Sequence, residues 1–188
     1  MRIAVSGTHV IGKTTLVEAL GERLPDHTVV PEPYELLADR GYEFEHPPSV
    51  DDFVAQLRHS IAVLRRKAPN LILERCPLDF LGYIHASPGA GRFALAPWRG
   101  PIGAAMASLD LVVALRVDPG HEPGGLAEDA AFRRAVDGWL REIVDGDGLD
   151  LCGGVEILAL GGPWDRRAEA VMARVEAMRR ERSGARGR

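Results

Sequence analysis

Short unbroken apolar runs alternate along the chain with stretches in which apolar residues return every third or fourth position, and glycine or proline marks most of the junctions. The run at residues 2–6, with Ile3, Ala4 and Val5, predicts a buried strand. Residues 14–24, with Leu16, Val17, Ala19 and Leu20 on one face, predict a helix directly after a glycine loop. Pro25 and Asp26 break the chain before a second strand at 28–30, and Pro31, Glu32 and Pro33 open a helical stretch from Tyr34. Residues 41–48 show no period. Ser49 is a fitting N-cap for a helix over 50–67, where Val50, Phe53, Val54, Leu57, Ile61 and Leu64 form an apolar stripe.

Leu71, Ile72 and Leu73 predict a third strand that delivers Glu74 and Arg75 at its carboxyl end, and Pro77 suits the first turn of the next helix. Residues 88–101, rich in Gly and Pro, predict a loop, followed by a short helix to Ser108 and a fourth strand at 109–117. After a loop at 118–125 come a helix at 128–144, a fifth strand at 155–160 and a final amphipathic helix at 163–180. This order predicts an α/β domain: a five-stranded parallel sheet with helices on both faces, right-handed crossovers, and a ligand site at the carboxyl ends of the strands.

A chain of 188 residues has room for one such domain, expected over residues 1–182 with a flexible basic tail at 183–188. A net charge of -4 and a pI near 5.9 argue against a surface that neutralises many nucleic-acid phosphates. The first residues lack the long apolar segment of a signal peptide, and no apolar run reaches the length of about 18 residues that spans a membrane, so a cytoplasmic protein is expected. Cys76 and Cys152 lack CxxC spacing and fit free thiols.

Gly7, Thr8, His9, Val10, Ile11, Gly12, Lys13 and Thr14 match GxxxxGK[ST] between a predicted strand and a predicted helix, which makes the expected architecture the three-layer fold of P-loop NTPases. Glycine at both ends lets the loop curl without Cβ clashes, so that successive N–H groups can face an anion at a helix N-terminus. Lys13 is then expected on the β- and γ-phosphates of ATP, Thr14 on Mg²⁺, Thr15 near the α-phosphate, and His9 at the edge of the loop. Val10 and Ile11 are unusual there, because β-branched residues accept rare backbone angles poorly.

A phosphate loop only holds a donor. The chain lacks the NKxD guanine motif, LSGGQ and a doubled-lysine loop, and it is short for an AAA+ module with a helical lid domain. It does carry Pro31-Glu32-Pro33-Tyr34 after the second strand and Glu74-Arg75 ending the third, with Asp79 and Tyr83 beyond. By this ordered series the chain resembles the deoxynucleoside kinase and thymidylate kinase branch of P-loop kinases, together with related small P-loop ATPase-like kinases. Phosphoryl transfer needs positioning and charge stabilisation, for which carboxylates and arginines are suited.

The resemblance implies Glu32 as general base, Glu74 at the Mg²⁺ water or sharing base duty, and Arg75 as a fork for phosphate oxygens. Asp79 would orient Arg75 or a substrate hydroxyl, and Tyr34 and Tyr83 would line the acceptor site, with Trp98 and Arg99 nearby. A lid arginine is expected at Arg133, with Arg134 and Arg116 as alternatives, and Trp164 or Arg166 on the adenine. The expected function is ATP- and Mg²⁺-dependent phosphorylation of a nucleoside or nucleotide-like small molecule, and a homodimer is left open. The rival reading is a nucleotide-dependent switch or weak ATPase acting on a protein partner.

Overall fold

The protein is described by a computed structural model over residues 1–117, 127–146, 151–152 and 154–186. Its five strands are β1 (Arg2–Ser6), β2 (Thr28–Val30), β3 (Leu71–Glu74), β4 (Leu111–Leu115) and β5 (Glu156–Leu160). They form one all-parallel sheet in the order β2-β3-β1-β4-β5. The helices are α1 (Lys13–Arg23), α2 (Pro33–Ala38), α3 (Val50–Leu64), α4 (Pro77–Ala86), α5 (Arg99–Met106), α6 (Ala127–Asp145) and α7 (Trp164–Arg186).

Strand side chains alternate between the two faces, and the core divides accordingly. Ile3 and Val5 pack with Leu16, Leu20 and Val171 under α1 and α7, while Ala4 and Val112 pack with Leu57, Leu81 and Leu140 under α3, α4 and α6. Burial of each large aliphatic side chain contributes about 1.5–3 kcal/mol, so these two layers fix the sheet's position. Val5 pairs with both Glu74 and Val113, which puts the loop leaving β1 between the carboxyl ends of β3 and β4. That is the switch point of the strand order, where open parallel sheets place ligands.

Several boundaries differ from the sequence expectation. α3 ends at Leu64, where its apolar stripe ends, and Arg65, Arg66 and Lys67 are exposed beyond it. The segment expected as a loop at 88–101 holds two 3₁₀ turns and the start of α5. The tail expected from 183 is helical through Arg186: the Ser183 hydroxyl donates to the Arg179 carbonyl at 3.0 Å, and Arg182 pairs with Asp110 at 2.5 Å. The loop expected at 118–125 lies outside the described residues.

One polar cluster secures the irregular stretch before α3. Ser49 caps the helix, and buried Asp52 closes the capping box by accepting from the Ser49 N–H at 2.8 Å. The same carboxylate accepts from the Tyr42 hydroxyl at 3.1 Å and the Glu45 N–H at 3.2 Å. Burial alone would raise the Asp52 pKa, but the donors from Ser49, Tyr42 and Glu45 outweigh it and hold the carboxyl below its ordinary value of 3.8. A carboxyl depressed in the folded state contributes stability that is complete above the unfolded value and lost as pH falls through the folded one. Asp52→Ala should therefore cost about 2 kcal/mol at pH 7. The deficit relative to the parent protein should shrink below about pH 4, as urea unfolding at the two pH values would measure.

Candidate active site

The phosphate loop takes its shape from two glycines. Gly7 has φ 148°, and a Cβ there would lie 3.0 Å from the Leu115 carbonyl oxygen and 3.2 Å from Ile11 Cγ2. Gly12, at φ 88°, is the left-handed residue that starts α1. The bulky pair between them behaves in two ways. Ile11 is buried and plugs the core under α1 and α7, whereas Val10 stands 61% exposed at φ 61°, a left-handed conformation that a β-branched residue holds at a cost of about 1–3 kcal/mol.

Lys13 is 4% exposed and donates from Nζ to the Thr8 carbonyl at 2.7 Å. Thr14 Oγ1 donates to Glu74 Oε1 at 2.9 Å. These are two hard oxygen donors side by side, suited to a magnesium ion that takes its remaining ligands from phosphate and water. Burial is the main force raising the Glu74 pKa, opposed by the Thr14 hydroxyl, Lys13 and Arg75. Among the described residues no cluster of three or more His, Cys, Asp and Glu side chains could hold a metal by itself.

Arg75 is the hub of the acidic side. It follows β3 at φ 73°, is 8% exposed, and donates from Nε to Glu32 Oε2 at 2.7 Å and from Nη1 to the Gly7 carbonyl at 3.3 Å. Its guanidinium lies 5.0 Å from the Tyr83 ring centroid and 3.9 Å from Asp79 Oδ1. Burial works against its charge, but Tyr83, Glu32 and Asp79 outweigh that cost and leave its pKa above the ordinary value. Asp79 is fully buried, and its two oxygens accept from the Gly7 N–H and the Cys76 N–H, both at 2.8 Å.

Beside this cluster opens a cavity of about 520 Å³. Tyr34, Phe53, Phe80, Tyr83 and Phe132 supply aromatic walls, with Gln56, His9, Glu32 and Arg75 as polar groups and Pro47 and Pro48 at one side. His9 Nδ1 is 3.2 Å from the Tyr83 hydroxyl, and its ring lies 6.2 Å from Phe132, so one end of the phosphate loop forms part of the cavity wall.

The family described as an AAA domain matches residues 2–153. The chain belongs to that AAA-domain family. Among solved structures, deoxyadenosine kinase from M. mycoides, with dCMP and a flexible dCDP bound, aligns with a TM-score of 0.66 at 15% identity, covering 95% of this chain and 100% of that one. The NadR protein in complex with NR gives 0.66 at 20% identity over 93% of this chain and 48% of that one. Thymidylate kinase from Candida albicans gives 0.61 at 15% identity over 94% and 91%. No curated protein matches the sequence. At these identities the likeness is one of fold, the P-loop fold shared by small kinases.

Within this AAA-domain chain the structure brings Glu32, Tyr34, Arg75 and Tyr83 to one cavity next to the phosphate loop and sets Glu74 against Thr14. Asp79 does not join them. With no exposed surface and both oxygens committed to backbone donors, it orients the loop and Arg75, and the expected contact with a substrate hydroxyl is corrected on that ground. Trp98 lies in a neighbouring hollow with Phe93, under Arg58, and outside the cavity. Arg116 pairs with Asp145 at 2.6 Å. Arg133 is buried at 4% exposure, and its Nη1 has no hydrogen-bond partner among the described residues.

Thr15 and Arg166 are exposed, and Trp164 is 66% exposed at the start of α7. The adjacent Arg167, absent from the sequence reading, reaches the phosphate loop and donates to the Ile11 carbonyl at 2.7 Å. Gln56 and Phe53 were also missed as cavity residues. A glutamine on the apolar face of the predicted helix was the available signal.

The buried ammonium of Lys13 has an acid–base consequence. Burial first, and the Arg75 charge second, lower its pKa to about 7, against partial opposition from Asp79, Glu74 and Glu32. A bound triphosphate favours the charged form and should raise that pKa, so ATP binding at pH 7.5 is expected to take up a fraction of a proton. Calorimetry in buffers of differing ionisation enthalpy should reveal the uptake, and it should vanish at pH 6, where Lys13 is already charged.

Proposed function

We propose that the protein transfers the γ-phosphoryl group of ATP to a hydroxyl on a small, flat acceptor of nucleoside or nucleotide-like kind. The observation that carries this reading is the shared wall between the phosphate loop and the aromatic cavity, with the Glu32–Arg75 pair at the junction. A switch or simple ATPase needs no second cavity of this size beside its phosphate loop.

In this reading Lys13 exchanges the Thr8 carbonyl for the β- and γ-phosphates, and Thr14 and Glu74 hold Mg²⁺. The ion supplies charge neutralisation to the phosphates when bound. Glu32 orients the acceptor hydroxyl and takes its proton as the oxygen bonds to the γ-phosphorus and the bond to the β-bridging oxygen breaks, releasing ADP. Arg75 engages one Glu32 oxygen and so leaves the other for the hydroxyl. Arg133, whose buried Nη1 has no hydrogen-bond partner among the described residues, is the candidate we assign to the transferring phosphoryl group, and Trp164 and Arg166 are those for the adenine.

The lining also favours a hydroxyl acceptor over a phosphate one. Glu32 and Arg75 are the acidic residue and the arginine of the described lining, and they neutralise each other, so no second Lys or Arg among the described lining residues faces a phosphate on the acceptor.

Three outcomes follow. ADP formation should be stimulated by one member of a nucleoside panel and less by its 5′-monophosphate, whereas turnover indifferent to every acceptor would return the protein to the switch reading. Glu32→Gln should lower kcat by about 10²-fold or more with ATP affinity little changed. Lys13→Ala should abolish measurable ATP binding in calorimetry while the circular dichroism spectrum stays that of the parent.

A further inference from the structure

A peptide unit is planar and trans, so its C=O and the next residue's N–H point in opposite directions. A loop that turns N–H groups toward an anion must therefore turn carbonyls outward, and each outward carbonyl needs a donor. In this loop the Gly7 carbonyl is met by Arg75, the Thr8 carbonyl by Lys13, and the Ile11 carbonyl by Arg167 Nη1 at 2.7 Å. Lys13 has to let go when it moves to phosphate. Arg167 does not.

Arg167 comes from the first turn of α7, 156 residues along the chain from Ile11. Its Nε donates to the Gly162 carbonyl at 3.0 Å, so one planar fork fastens both the phosphate loop and the turn after β5. The helix beneath it is anchored, because Ala168 and Val171 are buried in the same cluster as Ile11 and Leu16. A methyl group built on Gly12 would lie 3.8 Å from Arg167 Nη1, which puts the guanidinium against the outer side of the cradle.

Resting on the phosphate-cradle reading above, we infer that Arg167 is a positioning residue for the donor: by holding the Ile11 carbonyl outward it holds the Gly12 N–H toward the phosphates. Its bond to Gly162 makes the turn after β5 part of the same support. The role is exerted through the backbone and needs no contact with the nucleotide base.

Calorimetry with MgATP and with magnesium tripolyphosphate tests this, using the parent, Arg167→Ala and Arg167→Lys. Arg167→Ala should weaken both ligands about tenfold, as loss of one charge-assisted bond to the cradle would. Arg167→Lys, which keeps the charge but not the fork, should fall between, and added methylguanidinium should restore part of the affinity of the alanine variant. Unchanged affinity of both variants for both ligands overturns the inference, even if the melting temperature falls. Weakened MgATP with unchanged tripolyphosphate overturns it too, by moving Arg167 to the base. A parent protein that binds neither ligand removes the cradle reading itself and this inference with it.

Discussion

The Asp79 carboxylate is the point at which the functional end of this fold is tied together. It is fully buried, a costly state for a charge, and its cost is offset by the N–H groups of Gly7 and Cys76, by the N-terminus of α4, where it sits in the first turn, and by Arg75 nearby. Those contacts join three chain segments that the sheet merely brings near: the exit of β1, the exit of β3 and the start of α4. Because Gly7 is bonded at its N–H on one side and packed against Leu115 on the other, the phosphate loop departs from β1 in one direction only.

The charges around that point also bear on the magnesium ion of the proposed reaction. Lys13 and Arg75 face Glu32, Glu74 and Asp79, two cations against three carboxylates, so the cluster carries a formal excess of one negative charge. Partial loss of the Lys13 proton near pH 7 would increase the excess. On the proposed reading, a triphosphate brought alone to such a cluster would meet repulsion that the loop's N–H groups must overcome, and a divalent cation held by Thr14 and Glu74 would reverse the balance. In the proposed reaction the acidic residues divide the work. Glu74 belongs to the donor side through Thr14, and Glu32 to the cavity side through Arg75.

Much of this was legible in the residues taken in order. The strands, the glycine loop and the pair at Glu74 and Arg75 announce themselves because periodicity and glycine spacing are local signals. Tyr34 and Tyr83, expected at an acceptor site, both line the cavity. Phe53 was visible on the helical stripe yet indistinguishable from a packing residue, since a period reports which face is covered and not whether core or cavity covers it; polar Gln56 on the same face was the one signal that set the cavity apart. Phe132 beside His9 depends on a contact across the fold that no local pattern carries. Arg167 was lost to its neighbour Arg166 for a simpler reason: successive helical residues point about 100° apart, and choosing between them requires the helix's rotation about its axis, which follows from packing.

The two non-glycine residues with positive φ among the described residues show how differently strain can be held. Arg75 is fixed on every side: its N–H donates to the Val5 carbonyl at 2.9 Å, Glu32 and the Gly7 carbonyl take its guanidinium, and Tyr83 lies under it. Its backbone angle is the way a residue at the end of β3 turns its side chain back beneath the loop from β1, so the cost is tied to the junction of donor and cavity. Val10 has no comparable support, and its side chain is mostly in solvent. What holds it is the chain on either side: His9 is engaged at the cavity wall and Ile11 is buried in the core with its carbonyl on Arg167. A residue pinned between two anchored neighbours must adopt whatever angle closes the loop, and the strain at Val10 is therefore a measure of how firmly the cavity on one side and α7 on the other hold the phosphate cradle between them.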